Sequence, residues 1–281
     1  MSGTAQLNDE LLHAKSPFEL RVHLGRGVPD SDVRSALATG DMGFLHSFTT
    51  GSTVDGPGVR VVAWTTGCQF RCLYCHNPDT WNMSNGIPIT LGKATEELHK
   101  YRTGLKVMAG GFTLSGGEPL MQDRFAVRLL TAVHAMGIHT ALDTNGSLGA
   151  RLTDAELGEI DLVLLDIKNW DEQRHRRLTG MEVGPVLDFA RRLAKLKRPM
   201  WVRYVFVPGW SDDARNISQL ARFAASLGNV ERVDVLPFHQ MGRFKWKELK
   251  LSYALDDVQP PARETIEHAC ALFRAEGLKA Y

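Results

Sequence analysis

Short apolar runs alternate with helical patterns along the chain from Phe44 onward. This alternation is typical of parallel strands that are joined by crossover helices. The run Leu162-Val163-Leu164-Leu165 lacks in–out alternation, as expected for a strand that is covered on both faces. The sequence predicts six strands, which are Val59–Thr65, Gly111–Leu114, Thr140–Asp143, Leu162–Ile167, Trp201–Val207 and Val233–Pro237.

Helical patterns fill the intervals between these strands. One helix is predicted to open at Pro119, because proline suits the first turn, and to end before Gly137. Its apolar positions Phe125, Leu129, Val133 and Met136 fall on one face. Six repeats of strand and helix predict an α/β fold, a partial (β/α)6 barrel of the TIM type with parallel strands.

The first part of the chain has a different pattern. Residues 1–42 contain few large apolar residues at regular spacing, and we expect a partly ordered extension there. Within it, Asp30 is predicted to cap a short helix that runs through Ala38 and stops at Gly40. Residues 43–281 are predicted to form one folded domain.

Composition and charge limit the classes of partner. The 281 residues include 33 Lys and Arg against 32 Asp and Glu, so no net field is available to recruit nucleic acid or an anionic membrane. The start of the chain lacks the continuous apolar core of a secretory signal, and nowhere do eighteen uncharged apolar residues follow one another. We therefore expect a cytoplasmic protein that binds neither nucleic acid nor membrane.

Each predicted strand ends in, or leads to, an unusual polar cluster, and the fifth strand itself holds Arg203. In a parallel barrel the loops after the strands converge on one face, so these clusters are expected to share one mouth. In chain order they are Thr66-Gly67-Cys68, Ser115-Gly116-Gly117-Glu118, Thr144-Asn145-Gly146, Asp166-Ile167-Lys168, Arg203 with Pro208-Gly209, and Pro237-Phe238-His239-Gln240.

Three cysteines, Cys68, Cys72 and Cys75, lie within eight residues after the first strand. Three thiolates at this spacing can hold three corners of a cubane iron–sulfur cluster and leave the fourth iron open. The alternative is a structural zinc site with His76 or Cys270 as fourth ligand, although zinc sites usually use two C-x2-C pairs. The spacing favours the cluster.

The turn after the second strand reads Ser115-Gly116-Gly117-Glu118-Pro119. It could be a simple strand-to-helix turn, since Gly-Gly permits sharp backbone angles anywhere. Beside a cluster, bare glycine backbone would also allow close approach of a ligand, and Glu118 could accept hydrogen bonds from an ammonium group. The two readings remain open at this point.

The cysteine spacing with Tyr74 before the last cysteine, followed by a G-G-E-P turn, resembles the radical S-adenosylmethionine (SAM) superfamily. This resemblance implies a radical SAM fold with one [4Fe–4S] cluster, whose open iron is chelated by the amino and carboxylate groups of SAM. It also implies that the reduced cluster cleaves SAM to a 5′-deoxyadenosyl radical. The protein would bind and orient SAM and would exclude water from it.

Further stretches over residues 43–281 are similar to the activating enzymes of pyruvate formate-lyase, a family of that superfamily. The stretches are 53–60 (TVDGPGVR), 74–77 (YCHN), 142–146 (LDTNG), 207–213 (VPGWSDD) and 236–239 (LPFH), followed by Gly242 and Lys245-Trp246. The resemblance implies that the protein makes a glycyl radical on pyruvate formate-lyase, with electrons from a donor such as flavodoxin or ferredoxin. No cysteine lies between Cys75 and Gly116, where many activators of other glycyl radical enzymes carry a cysteine-rich insertion, and this points to the formate-lyase type.

Other functions stay open from the sequence. One is another radical SAM enzyme, either an activase of anaerobic ribonucleotide reductase or an enzyme of a small molecule. The other is a zinc-stabilised binding module without catalysis, which metal analysis would reveal.

The resemblance also implies which residues bind the cofactors. Cys68, Cys72 and Cys75 would ligate the cluster, while the polar groups of SAM would meet residues on several loops. These residues are Tyr74, Cys75 and His76 at the adenine, Gly116, Gly117 and Glu118 at the methionine portion, Asp166, Ile167 and Lys168 at the polar groups, and His239 at the ribose.

A second group would serve the cation, the substrate and the mouth of the site. A monovalent cation near the SAM carboxylate would be held by Asp143, Thr144 and Asp166. Asp55 and Arg60 would shape the approach of the partner peptide. Lys168 and Arg203 would be catalytic residues at the mouth of the barrel. Each position has a simpler reading as well, since strand-end aspartates often cap helices and Asp55-Gly56-Pro57 suits a tight turn.

Overall fold

The structure is a computed structural model that describes residues 30–281. Most of the predicted extension, residues 1–29, lies outside the described residues. The chain divides into two compact units. The first contains the described residues up to Cys68 with Thr80–Asp143 and Ala155–Asp161, and the second contains Gln69–Asp79, Thr144–Asp154 and Leu162–Tyr281.

The sheet of the first unit has the strand order β3-β1-β2-β4-β5. β2, β4 and β5 are parallel, whereas β1 pairs antiparallel with both β2 and β3. The strands are β1 (Met42–Ser52), β2 (Arg60–Thr65), β3 (Ile87–Thr90), β4 (Gly111–Gly116) and β5 (His139–Thr144).

Helices of the first unit follow the strands as the sequence predicts. They are α1 (Asp30–Thr39), α2 (Leu91–His99), α3 (Arg102–Val107), α4 (Asp123–Ala135) and α5 (Asp154–Gly158). The segment at Pro119 begins as a short 3-10 helix and becomes α-helical at Asp123. Phe125, Leu129 and Val133 of α4 are buried, in agreement with the predicted apolar face.

The second unit has three parallel strands in the order β6-β7-β8. Its elements are β6 (Leu162–Asp166), α6 (Glu172–Thr179), α7 (Gly184–Lys195), β7 (Met200–Phe206), α8 (Ala214–Leu227), β8 (Val230–Pro237), α9 (Arg243–Glu248) and α10 (Arg263–Ala275). No helix within residues 30–281 has the length and apolar character needed to cross a bilayer.

All six predicted strands are present, with bounds that differ by at most three residues, and α1 matches the predicted helix at Asp30. The sequence did not predict β1 and β3. β1 loses its buried pattern after Leu45, and its outer half is exposed. β3 has only four residues. Neither strand therefore carries the continuous apolar run that marks the parallel strands.

A buried glutamine ties β1 to the end of β2. The Gln122 side chain accepts a hydrogen bond from the Phe44 backbone N–H at 2.7 Å. Its amide nitrogen donates to the carbonyl oxygens of Phe44 and Thr66, both at 2.9 Å. The side chain thus satisfies three buried backbone groups just before the first cysteine.

We expect Gln122→Met to destabilise the metal-free protein by about 3 kcal/mol, because the buried Phe44 N–H and Thr66 carbonyl oxygen lose the Gln122 side chain while the volume is kept. The Phe44 carbonyl oxygen keeps its hydrogen bond from the Thr66 N–H at 3.2 Å. Chemical unfolding followed by circular dichroism measures the difference. Gln219→Met on the exposed face of α8 is the control and should change stability little. Equal stability of Gln122→Met and wild type would contradict the assignment.

Candidate active site

The cysteine loop, residues 67–79, follows β2, and backbone hydrogen bonds hold its first residues within the first unit. The Gly67 N–H donates to the Thr80 carbonyl oxygen at 2.7 Å, and the Cys68 N–H donates to the Trp81 carbonyl oxygen at 3.1 Å. The direction of the chain at Cys68 is therefore fixed by a neighbouring segment of the same unit.

The glycine turn after β4 lies directly against this cysteine. The Glu118 N–H donates to the Gly67 carbonyl oxygen at 2.8 Å. A Cβ atom on Gly117 would lie 2.6 Å from the Gly67 carbonyl oxygen and 3.1 Å from the Cys68 Cβ atom. Only glycine allows this approach, so the turn presents bare backbone next to Cys68.

Glu118 is fully buried at the start of the 3-10 helix. Its Oε1 atom accepts a hydrogen bond from the Leu120 N–H at 3.0 Å. The side chain therefore caps the helix, which is the simpler of the two readings that the sequence left open. Contact with a ligand ammonium stays a prediction.

The end of β5 carries the predicted cation ligand Asp143, which is nearly buried. The Ser115 hydroxyl donates to Asp143 Oδ2 at 2.6 Å. Thr144 belongs to the second unit, where its hydroxyl oxygen accepts the Gly146 N–H at 3.0 Å. A cation held by Asp143, Thr144 and Asp166 stays a prediction.

In the second unit, the middle of the cysteine loop pairs with the carboxyl end of α6. The Arg71 N–H donates to the Thr179 carbonyl oxygen at 2.7 Å, and the Leu73 N–H donates to the Leu178 carbonyl oxygen at 3.0 Å. The Cys75 N–H donates to the Cys72 carbonyl oxygen at 3.1 Å, which forms a tight turn between two cysteines. The loop has no helix or strand of its own here, yet its backbone is bonded.

Cys68, Cys72 and Cys75 form no disulfide and are half-buried, whereas Cys270 is buried. Burial raises the pKa of Cys72 to about 12, against the opposing charge of Lys168. Among residues 30–281, no three His, Cys, Asp or Glu side chains converge as the ligands of a single ion would. A cubane cluster does not need such convergence, because each cysteine binds a different iron atom.

A buried ion pair lies beside the cysteine loop. Lys168 Nζ is 2.7 Å from Asp166 Oδ2 and 5.6 Å from the centre of the Tyr74 ring. Burial alone would lower the pKa of Lys168, but the Asp166 carboxylate and its other neighbours raise the pKa well above its usual value. Lys168 therefore stays charged at neutral pH, close to where Cys72 and Tyr74 lie.

Tyr74 packs into a hydrophobic cluster of the second unit with Leu178, Val207, Phe238 and Leu255. Burial raises the pKa of its phenol well above the ordinary value, so the group is neutral. The ring thus anchors the loop in the core. Its predicted contact with adenine is untested.

The β6 strand end brings further predicted residues together. Asp166 is the register partner of Arg203 on β7, and the Ile167 N–H donates to the Arg203 carbonyl oxygen at 3.1 Å. Arg203 is half-buried, and Ile167 is fully buried. The predicted proximity of Asp166, Lys168 and Arg203 is thus found within this unit.

His76 and His239 form a tilted ring pair with centroids 4.0 Å apart. His76 Nε2 lies 3.2 Å from the His239 carbonyl oxygen, so the Nε2 atom carries the hydrogen in this contact. Burial, together with His239, lowers the pKa of His76 to about 4, and burial lowers the pKa of His239. Both rings are neutral at pH 7, so they can contact a polar ligand without adding a charge to the site.

Arg60 has a different surrounding from the one expected. It is fully buried at the amino end of β2, whereas the cysteine loop follows the carboxyl end. Its guanidinium donates to Thr113 Oγ1 at 3.0 Å and to the Phe112 carbonyl oxygen at 2.6 Å, and lies 3.1 Å from His139 Nδ1. This geometry gives Arg60 a structural role and does not favour direct contact with a partner peptide.

Asp55 lies next to Arg60 and is 6% exposed. Its Oδ2 atom accepts from the Ser52 hydroxyl at 2.6 Å, and its carbonyl oxygen accepts from Thr113 Oγ1 at 2.6 Å. These bonds match the tight-turn reading. A role of Asp55 toward a partner stays a prediction.

Gln69, which directly follows Cys68, has no role that the sequence predicts. The Gln69 side-chain amide donates to Asn145 Oδ1 at 3.3 Å and to the Ser147 hydroxyl. The Ser147 N–H also donates to Asn145 Oδ1, at 3.1 Å. Asn145 lies in a stretch that the sequence marked, but its link to Gln69 spans 76 residues and leaves no local signal.

Residues 62–221 match the family model described as the radical SAM superfamily, which is more than half of the chain. This chain belongs to the radical SAM superfamily.

Within the radical SAM superfamily, a curated relative gives a closer assignment. The chain is 43% identical over 234 residues to the pyruvate formate-lyase-activating enzyme of Staphylococcus aureus (strain USA300). The match covers 81% of this chain and 93% of the relative. The chain therefore belongs to the family of these activating enzymes.

Solved structures of radical SAM proteins support the fold. A domain of a pyruvate-formate lyase-activating enzyme from Bacteroides vulgatus matches with a TM-score of 0.52 at 29% identity, over 61% of this chain and 98% of that one. A radical SAM methyltransferase from Sphaerobacter thermophilus matches with a TM-score of 0.58 at 16% identity, over 97% and 84% of the two chains. The predicted α/β fold with parallel strands is confirmed.

Membership of the radical SAM superfamily implies a [4Fe–4S] cluster and SAM, and the residues of this chain fit both. Three thiols, none of them in a disulfide, lie on a loop whose backbone is hydrogen-bonded to other elements. Bare backbone at Gly117 lies against Cys68, and a buried charged lysine lies beside Tyr74. The thiol donors are the ligands that iron–sulfur clusters require.

Gly117→Ala is expected to prevent stable cluster assembly, because the new methyl group would displace the Gly67 carbonyl oxygen or Cys68. After anaerobic reconstitution, we expect less than about a tenth of the wild-type iron and labile sulfide per chain. Gly92→Ala adds a methyl group with no atom within 4 Å and is the matched control. Wild-type iron content in Gly117→Ala would contradict the close approach.

His175 on α6 should make the stability of the metal-free protein depend on pH. Burial lowers the pKa of His175 below its usual 6.5. The folded state thus disfavours the protonated ring, so stability is present above about pH 6.5 and is lost as pH falls toward the folded pKa. His175 Nδ1 lies 3.0 Å from the Met181 carbonyl oxygen, and buried Nε2 has no partner among the described residues to accept a second hydrogen.

Replacing His175 by Asn keeps a donor near Nδ1 and removes the titrating group. We expect the slope of unfolding free energy against pH below 6.5 to become less steep by up to about 1.4 kcal/mol per pH unit. Urea unfolding at several pH values measures this slope. The exposed His268→Asn is the control, and an unchanged slope in His175→Asn would refute the assignment.

Proposed function

We propose that this protein activates pyruvate formate-lyase by removing one hydrogen atom from a glycine of that enzyme, leaving a glycyl radical. The observation that carries the proposal is the 43% identity to the pyruvate formate-lyase-activating enzyme of Staphylococcus aureus, over 93% of the length of that enzyme. The cluster and SAM, when bound, supply the 5′-deoxyadenosyl radical that takes the hydrogen atom.

The cysteine loop would hold the cluster through Cys68, Cys72 and Cys75. The hydrogen bonds from the loop to α6 and to Thr80–Trp81 support this role, because ligands must be placed before the metal can bind tightly. The raised pKa of Cys72 means that cluster binding must displace a proton from its thiol.

Binding of SAM is assigned to the groups around that loop. Charged Lys168 can pair with the SAM carboxylate, and Asp166 orients the lysine through their 2.7 Å contact. The neutral ring pair of His76 and His239 offers a flat surface to the nucleoside. The other residues assigned to SAM are Tyr74, Gly116, Gly117, Glu118 and Ile167, with Asp143, Thr144 and Asp166 assigned to a monovalent cation.

Exclusion of water and exact placement are the main demands on the protein, because a carbon radical attacks what lies nearest. Arg203 is proposed to line the mouth of the site, and Asp55 to shape the approach of the partner. A one-electron donor such as flavodoxin or ferredoxin would reduce the cluster. Free thiols suit a reducing compartment, so the cytoplasm is the proposed location.

The test is anaerobic reconstitution with iron and sulfide, followed by reduction in the presence of SAM and purified pyruvate formate-lyase. We expect 5′-deoxyadenosine by chromatography and a glycyl radical signal on pyruvate formate-lyase by electron paramagnetic resonance. Cys72→Ser should lower both signals at least about a hundredfold, because a cluster ligand is lost.

Anaerobic ribonucleotide reductase serves as the second partner in the same experiment. A radical on that protein and none on pyruvate formate-lyase would contradict the proposed substrate. Tightly held zinc without labile sulfide would contradict radical chemistry altogether.

A further inference from the structure

The pair Lys245-Trp246 lies on α9 and has no role in the site described so far. α9 lies against residues 75–79, which follow the last cluster cysteine. Trp246 Nε1–H donates to the Cys75 carbonyl oxygen at 2.8 Å, across 171 residues of sequence. Trp246 is 6% exposed, so this bond is shielded from water.

Lys245 binds the next part of the same segment. Its Nζ atom lies 2.9 Å from Asn77 Oδ1, and 3.1 and 2.9 Å from the two carboxylate oxygens of Asp79. The side chains of Lys245 and Asp79 are 15% and 21% exposed. One ammonium group therefore joins two side chains of the loop in a partly buried contact, where it is stronger than on an open surface.

The residue at the start of α9 allows this close approach. A Cβ atom on Gly242 would lie 2.6 Å from the His76 Cα atom. The His76 ring also donates to the His239 carbonyl oxygen at 3.2 Å. Cys75, His76, Asn77 and Asp79 are thus each held by a residue of the segment 239–246.

Simple packing of a helix against a loop does not account for these contacts. The Trp246 ring packs on Tyr253 with centroids 5.1 Å apart, and this apolar contact needs no hydrogen bond. The indole N–H and the lysine ammonium are instead both directed at polar groups of the loop next to Cys75. A hydrogen bond to the carbonyl of a ligand residue fixes its backbone, and with it the direction of its side chain.

We propose that Trp246 and Lys245 are positioning residues that orient the third cluster ligand, Cys75, from a helix far along the chain. This inference rests on the proposed function, since it concerns the cluster that Cys75 would hold. Trp246 fixes the ligand residue itself, and Lys245 fixes the turn that follows it. Loss of either leaves Cys75 on a segment that is held at fewer points.

The first test compares Trp246→Phe with wild type after anaerobic reconstitution. Phenylalanine keeps an aromatic ring against Tyr253 and removes the N–H group. We expect iron release to a chelator to be about tenfold faster than in wild type. We also expect a changed electron paramagnetic resonance spectrum of the reduced cluster, which a loss of overall stability would not produce.

Trp64→Phe is the matched control for this variant. Trp64 Nε1–H donates to Thr49 Oγ1 at 3.0 Å in the first unit, so this change also removes one indole hydrogen bond. It should leave iron release and the spectrum as in wild type. Thermal unfolding of the metal-free proteins verifies that each variant is folded.

Lys245 is tested by a pair of variants that does not depend on Trp246. Lys245→Met keeps the length of the side chain without its charge and should accelerate iron release several-fold. Lys245→Arg keeps a donor that can reach both Asn77 and Asp79, and should restore release to within about twofold of wild type.

The outcomes separate the two proposals. Wild-type rates and spectra in both Trp246→Phe and Lys245→Met would overturn the positioning role while leaving the function intact. A wild-type protein that binds no iron with labile sulfide would instead overturn the proposed function. If Trp246→Phe does not fold, the comparison of Lys245→Met with Lys245→Arg decides the question, and equal release from those two would overturn the inference.

Discussion

The need to satisfy the backbone of an irregular, half-buried loop governs the site. Residues 67–79 carry the three cysteines, and apart from the short turn at Pro78 they form neither helix nor strand. Their polar groups must therefore find partners on other elements, because a buried unpaired group is costly. In the first unit those partners are Thr80 and Trp81, and in the second they are the end of α6 and the indole of Trp246.

Electrostatics in the second unit follow from the same burial. Lys168 keeps its charge because Asp166 lies 2.7 Å away, while burial keeps Tyr74 and His76 neutral. The second unit thus combines partly buried ion pairs, Lys168–Asp166 and Lys245–Asp79, with neutral polar groups. Such an environment can bind a charged ligand without large rearrangement, since its dipoles are already in place.

The sequence was sufficient for the parallel strands and for the cysteine and glycine motifs, because each of these has a local signature. Runs such as Leu162–Leu165 reveal a covered strand, and Gly117 marks a close approach. The contact of Trp246 with Cys75 could not be predicted from the sequence, because no local pattern relates residues that are 171 positions apart. Arg60 shows a third case, since a charged residue in a marked stretch turned out to be buried among structural partners.

The late position of α9 has a consequence for biosynthesis. When the ribosome has produced the cysteines, it still has about 170 residues to add before the indole that holds Cys75 exists. Until then Cys75 and the residues that follow it lack their partners on α9. On the proposed role of Cys75, the third ligand of the cluster is therefore fully oriented only after translation has passed this helix.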